Sequence, residues 1–375
     1  MKRVAFVTTC LSLNDPFSIS TMPSTQSGPG EWMLATQAGR IMREAWTNAA
    51  PDDECHLSSL VVPSPHLLSE FDALHRESQE IEQGGTTATE TASPLVTHLP
   101  ERAWTVARTA LGTSIVCDAT VSYWPADLTS AHLATLILDA AQACHDESAR
   151  RGQAIPLVLL LDRHPSHDVG QAMIEQIGGI NELKTLVRST SLVLGLVDNS
   201  PLGGLHGAGA QLTDTAGITE EEAQQADRAA CSAAHRLQRQ INPLVELSPN
   251  AWGSGAGGGA AFTLRACGAR AYDATIILNP PLIWGGEGEP DIVVTCADDM
   301  WDATSLPHLA LVDQWAQQYA APLIVIARSC AMPRPERAQA GIHAVYTMDA
   351  LHNGSLHVDE ALAALTTRVA RTWSR

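Results

Sequence analysis

The stretch Gly253-Ser254-Gly255-Ala256-Gly257-Gly258-Gly259 is the strongest local signal for chemistry in this chain. Glycine lets backbone approach a ligand closely. The helix expected to follow, up to Ala266, offers free N–H groups and the positive end of its dipole, so an anion can be held without side-chain charge. The stretch reads as a phosphate or carboxylate site; a flexible loop or a tight helix-packing site also accounts for it. It is not a Walker A loop, because no Lys-Ser/Thr follows, and the strand before it is indistinct.

Three other clusters follow apolar runs. Asp198-Asn199 comes directly after Ser191–Val197 and before Ser200-Pro201-Leu202-Gly203-Gly204. Polar residues at the carboxyl end of a parallel strand sit where open α/β sheets bind ligands, although a simple Asx turn explains the pair equally. In Thr295-Cys296-Ala297-Asp298-Asp299-Met300-Trp301-Asp302, Asp298 and Asp302 are spaced to share a cation such as Mg2+ if they lie in a helical turn; loop or N-cap acids are the plainer reading. In Asp162-Arg163-His164-Pro165-Ser166-His167-Asp168, the two histidines invite a metal. The intervening proline and the lack of a matched second pair argue against one.

The elements that must carry these clusters are short, β-branched and mostly continuous in their apolar character: Val4–Thr9, Leu60–Val62, Ser114–Thr120, Ile155–Leu161, Ser191–Val197, Ala274–Leu278, Asp291–Cys296, Pro322–Ala327 and Ala344–Met348. Continuous runs are the pattern of parallel strands covered on both faces. Between them lie helical periodicities over Leu128–Ala149, Leu306–Tyr319 and a segment ending at Ile241. The last opens with Thr219 as N-cap and Glu222 closing a capping box. The chain is α/β. Two breaker-rich stretches, Gln83–Pro94 and Asn279–Pro290, read as crossings between domains. They divide the chain into a discontinuous, doubly wound, flavodoxin-like parallel-sheet domain (residues 1–85 plus 286–375) and an inserted α/β domain (86–285) holding the glycine-rich stretch. The Ser/Thr/Pro-rich segment from Asn14 to Gly30 reads as a loop or an insertion.

With 375 residues the chain has room for two domains and a substantial core. Its net charge of −18 repels phosphate backbones and anionic lipid, which excludes nucleic acid and membrane surfaces as expected partners and leaves a small molecule. An anionic ligand must then be gripped locally. Eight cysteines without Cys-x-x-Cys spacing read as buried thiols in a reducing, cytoplasmic setting. Met1-Lys2-Arg3 and the short run after it read as a first strand rather than a signal peptide. Composition leaves homo-oligomerisation open.

Taken in order, the clusters resemble the two-domain bacterial glycerate kinases, which transfer the ATP γ-phosphoryl group to D-glycerate. The resemblance is best from about residue 155 to 350. The family's Asn-Asn/Asp-Pro-Leu-x-Gly-x-x-Gly-Ala is similar to Asp198-Asn199-Ser200-Pro201-Leu202-Gly203-Gly204-Leu205-His206-Gly207-Ala208, with one residue inserted. Its Gly-Ala-Gly-Ala-Ala-Gly-Gly resembles Gly253 to Gly259, and its Thr-Gly-Glu-Gly-x-x-Asp-x-Gln-Ser/Thr is echoed by Thr295 to Ser305. Of its Gly-Gly-Ser-Ala-Thr-Asn-Asp loop, only the final acid, Asp168, is matched clearly. The resemblance implies ATP and Mg2+, with Asp168, Asp198 and Asn199 as catalytic or substrate-orienting residues. It implies Gly253, Ser254, Gly255, Gly257, Gly258 and Gly259 at the nucleotide, Arg163 and Ser166 at the acceptor, and Asp298 and Asp302 at the metal. These acids are expected around one cleft.

The chain also departs from the family. The opening Asp-Ser-Phe-Lys-Gly is replaced by Val7-Thr8-Thr9-Cys10-Leu11-Ser12-Leu13, without lysine. An Asp-Gly-Gly-Glu-Gly-Thr loop is replaced by Val62-Pro63-Ser64-Pro65-His66, and a later family lysine falls on Leu309. Phosphoryl transfer depends on cations that neutralise the transferring group, and Arg163 is a nearby candidate to compensate. Two functions therefore stand: a divergent small-acid kinase, or a catalytically degenerate member that binds a small anion or nucleotide or serves as a partner protein.

Overall fold

The computed structural model describes residues 1–13, 32–64, 67–82, 103–120, 129–163, 168–204, 207, 219–244, 247–301, 306–349 and 357–374. In chain order the elements are β1 (Arg3–Thr8), β2 (Leu11–Ser12), β3 (Trp32–Met33), α1 (Ala35–Ala49), β4 (Glu54–Ser59), α2 (Leu67–Glu82), β5 (Trp104–Thr109), β6 (Gly112–Asp118), α3 (Ala131–Arg151) and β7 (Leu157–Leu161). They continue with α4 (Gln171–Ile177), α5 (Ile180–Ser189), β8 (Val193–Leu196), α6 (Glu220–Ile241), a 3-10 turn (Ala256–Gly259), α7 (Ala260–Ala266), β9 (Arg270–Asp273) and α8 (Ala274–Leu278). The last are β10 (Ile292–Met300), α9 (Pro307–Gln318), β11 (Leu323–Cys330), α10 (Arg334–Gln339), β12 (Ile342–Thr347) and α11 (Val358–Trp373).

These elements form two compact units. The first contains the described residues up to position 82 and those from Pro281 onward; the second contains those from 103 to Pro280. In the first, five parallel strands run in the order β12-β11-β10-β1-β4. This is the doubly wound, flavodoxin-like order, and the winding reverses between β1 and β10. Because side chains alternate along β1, Val4 and Phe6 enter one core with Met42, Trp46 and Leu365, while Ala5 and Val7 enter another with Val312, Trp315 and Val325. Both faces are covered, hence the unbroken apolar runs. The edge strand β4 is half-buried along its whole length. Its Glu-Cys-His-Leu-Ser-Ser therefore lacks an apolar run, and the expected strand at Leu60–Val62 is displaced to Glu54–Ser59.

The second unit orders its strands β5-β6-β7-β8-β9, with β5 antiparallel and the rest parallel. Its main core joins Ile115, Leu159 and Leu194 to Leu133, Ile137 and Leu264. The expected strand Ala274–Leu278 is instead helix α8. The Asp273 side chain accepts from the amides of Thr275 at 2.9 Å and Ile276 at 3.3 Å, starting a helical turn before the β-branched run can extend. Helix α6 keeps its expected cap, with Thr219 and Glu222 bonded reciprocally.

The segment after Pro280 packs on the first unit. The Trp284 ring lies 4.5 Å from that of His56, and Arg3 donates to the Glu287 carbonyl at 3.3 Å. The other expected crossing, Gln83–Pro94, and the segment Asn14–Gly30 lie outside the described residues. No helix among the described residues is long and apolar enough to cross a membrane. All eight thiols are free, five buried and three half-buried.

Candidate functional site at the carboxyl edge of the second sheet

Three neighbouring strands of the second unit each deliver an aspartate at their carboxyl ends. Asp118 is the last residue of β6, Asp162 follows β7 directly, and Asp198 lies two residues beyond β8. Asp118 is buried, and its Oδ1 accepts from both the amide and the hydroxyl of Thr120. Burial raises its proton affinity. Asp162 accepts from the Arg163 amide at 2.7 Å. Burial pushes its carboxyl up, and the neighbouring carboxylates of Asp198 and Asp118 push in the same direction. Asp198 is 7% exposed. Its Oδ1 accepts from the Ser200 amide at 3.0 Å and hydroxyl at 2.6 Å, whereas its buried Oδ2 has no hydrogen-bond partner among the described residues. The Arg163 guanidinium Nε lies 3.9 Å from that oxygen, too far for a hydrogen bond but close enough for attraction.

Asn199 is exposed at this edge, and its carbonyl accepts the Gly253 amide at 2.8 Å. That contact is one of a set. Gly255 donates to the Ser200 carbonyl, Gly257 to the Asp162 carbonyl and Gly259 to the Gly255 carbonyl. The Ser254 hydroxyl donates to the Pro249 carbonyl and accepts from the Leu202 amide. The whole stretch Gly253–Gly259 is buried. These contacts describe the packing alternative: three of the glycine amides expected to cradle an anion are spent on stitching the ends of β7 and β8 together, and a fourth closes a turn within the stretch. Gly257, Gly258 and Gly259 take φ of 62°, 64° and 91° in succession, conformations that side chains disfavour. A Cβ at Gly253 would lie 2.1 Å from the Leu196 Cδ1.

Asp168 acts as a cap. Its Oδ2 accepts from the Ser130 hydroxyl at 2.6 Å and from the amides of Ser130 and Ala172, and its Oδ1 accepts from Gly170. It thereby ties the start of α3 to that of α4, and these bonds occupy both oxygens. The next residue, Val169, holds a φ of 56°, an outlier for a β-branched side chain. It is pinned by its amide on the Gly258 carbonyl and by the Thr263 hydroxyl on its own carbonyl. Such strain survives only where surroundings over-determine it, and it clusters at functional sites. Ser166, His164 and His167 lie outside the described residues.

In the first unit Asp298 sits within β10, not in a helical turn, because the strand keeps its pairing with β11 as far as Met300 opposite Cys330. Asp299 anchors that extension by bonding to Arg328 and Ser329. The helical geometry by which Asp298 and Asp302 were to share a cation is therefore corrected, and Asp302 lies outside the described residues. Asp298 accepts the Ser12 amide, and burial raises its proton affinity. Glu70 is pushed up to about 7 by burial while accepting the Ala35 amide at the start of α1. Neither Glu70 nor Asp118 stood out as a candidate from sequence. Asp118 and Asp162 share the signal that marked Asp198: an acid at the end of a continuous apolar strand. Among the described residues no group of three or more His, Cys, Asp or Glu side chains could hold a metal ion by itself.

Residues 157–375, more than half of the chain, match the model of the Glycerate kinase family. No curated protein matches the sequence significantly. Among solved structures, the fold is similar to that of a protein from Salmonella typhimurium LT2 provisionally designated glycerate kinase 2, with a TM-score of 0.59 and 17% identity over 100% of this chain and 98% of that one. At that identity the likeness speaks to the fold.

Proposed function

The chain belongs to the glycerate kinase family, and from that premise we propose that it transfers the γ-phosphoryl group of ATP to a hydroxyl of D-glycerate or a similar small hydroxy acid in the cytoplasm. The observation that carries this reading is the Asp198 Oδ2: a buried carboxylate oxygen at a sheet's carboxyl edge without a hydrogen-bond partner among the described residues. An acceptor hydroxyl there donates to Oδ2. As its oxygen forms the new bond to phosphorus and the bond to the ADP oxygen breaks, the hydroxyl proton passes to Asp198. Ser200 fixes the other carboxylate oxygen. Arg163, exposed on one side, is placed to meet an acceptor carboxylate. Asn199, Asp168 and the glycine stretch serve as positioning residues by holding the strand ends.

For Mg2+, Asp298 supplies hard carboxylate oxygens whose raised proton affinity a cation would relieve. One carboxylate with water and phosphate oxygens suits this ion, with Asp302 as a second candidate ligand. Mg2+ arriving with ATP would neutralise charge on the transferring phosphoryl group. Incubation with MgATP and D-glycerate, followed by phosphorus NMR, tests the reading. Wild type should form a phosphorylated acid, and Asp198→Asn should lose about a hundredfold or more in kcat.

The degenerate-member reading has its own support. The glycine amides are spent on the scaffold, and Leu309, at the position of a family lysine, is buried in the core. Retained ligand binding without phosphorylated product would select it.

A further inference from the structure

We propose that Asp162 is a specificity-determining residue that makes the site take a zwitterionic hydroxy acid, one bearing an ammonium group, in preference to a simple anionic hydroxy acid. The inference rests on the kinase reading only for what is done to the acceptor, not for what is bound. Three neighbouring parallel strands end in carboxylates here, those of Asp118, Asp162 and Asp198, and the cation beside Asp198 among the described residues is Arg163. Asp118 is buried, 3% exposed, and its Oδ1 accepts twice from Thr120, so it lies deeper than Asp162. Asp198 offers its bare Oδ2 to the acceptor hydroxyl. Asp162 is half-buried, and its Oδ1 accepts the Arg163 amide, which leaves Oδ2 available among the described residues.

An anionic acceptor must bring its carboxylate toward this excess of negative charge with one guanidinium in return. A zwitterion matches the set group by group: carboxylate to Arg163, hydroxyl to Asp198, and ammonium, a point charge with three donors, to Asp162. The repulsion that disfavours the simple anion and the attraction that favours the zwitterion come from the same side chain, the two-sided arrangement on which discrimination depends.

Serine and glycerate differ by an amino group in place of a hydroxyl, so calorimetric titration of the full chain with D-glycerate, L-serine and D-serine at neutral pH isolates the effect. One serine enantiomer should bind wild type about tenfold or more tightly than glycerate. Asp162→Asn should erase that ratio chiefly by weakening serine, and Arg163→Ala should weaken both acids. Equal or tighter binding of glycerate by wild type, binding of none of the three, or an unchanged ratio in a folded Asp162→Asn protein would overturn the proposal. Turnover with MgATP is scored separately. Serine binding without phosphoserine defeats the kinase reading and keeps this inference, whereas glycerate turnover with no serine preference does the reverse.

Discussion

The carboxyl edges of the two sheets differ in how they treat their acids. In the first unit the winding reverses between β1 and β10, the place where open α/β sheets usually bind ligands. Two of its carboxylates are nonetheless engaged by backbone amides, the buried Glu70 by that of Ala35 and the half-buried Asp298 by that of Ser12. The second sheet runs β5 to β9 in sequential order, without such a reversal, yet its edge holds a buried Asp198 oxygen with no hydrogen-bond partner among the described residues, beside a second acid. Topology marks where a crevice can open. The state of the polar atoms there says whether the fold has already used them.

The contrast breaks most visibly if the glycine stretch is disturbed. Gly253→Val places a branched side chain at a φ of 66° and against Leu196. Strain and overpacking together should cost about 3 kcal/mol or more, seen in urea unfolding and as lost amide protection within 103–280 but not in the first unit.

Glu70→Gln probes the first unit alone. The Glu70 carboxyl titrates near 7 in the folded chain against an ordinary 4.5. Its folded pKa is raised, so its stabilising contribution is full below about 4.5 and is lost as pH climbs through 7. Wild type should therefore lose up to about 3 kcal/mol across that window, and the variant should not. Parallel pH titrations of thermal unfolding would show curves that separate between about pH 4.5 and 7 and stay apart above it; coincident curves would refute the assignment.

Asp168→Ala removes the acceptor that caps α4 and ties it to Ser130, so about 2 kcal/mol should go from the second unit's stability. Asp198→Asn sharpens the comparison in the opposite direction. A buried charge with one oxygen unsatisfied costs stability, so the variant should gain up to about 1 kcal/mol while losing turnover. Asp298→Asn, by giving up a carboxylate that accepts the Ser12 amide, should gain nothing. Differential scanning calorimetry of both variants decides the matter.

Wherever burial and strand continuity coincide, the sequence is a good guide. Val4–Thr9, Ile155–Leu161 and Pro322–Ala327 all overlap strands covered on both faces, and the Thr219–Glu222 box starts its helix where expected. Reading fails where a single side chain outvotes a run, as Asp273 does for Ala274–Leu278, or where an edge strand needs no apolar pattern, as in β4. Within the site, the acids at strand ends are legible but their division of labour is not. Asp168 and Asp198 look alike in sequence, yet one is saturated by four donors and the other keeps an oxygen bare.

By itself, then, the sequence determined the α/β class and the glycine-rich stretch, because periodicity, capping and glycine's freedom act over a few neighbouring residues. Only the tertiary structure decided that the glycine amides are spent on the Asn199, Ser200 and Asp162 carbonyls, that Asp298 lies in a strand, and that Asp118, Asp162 and Asp198 share one edge. Those outcomes depend on which distant segment arrives with a donor or a charge, and local pattern carries no record of that.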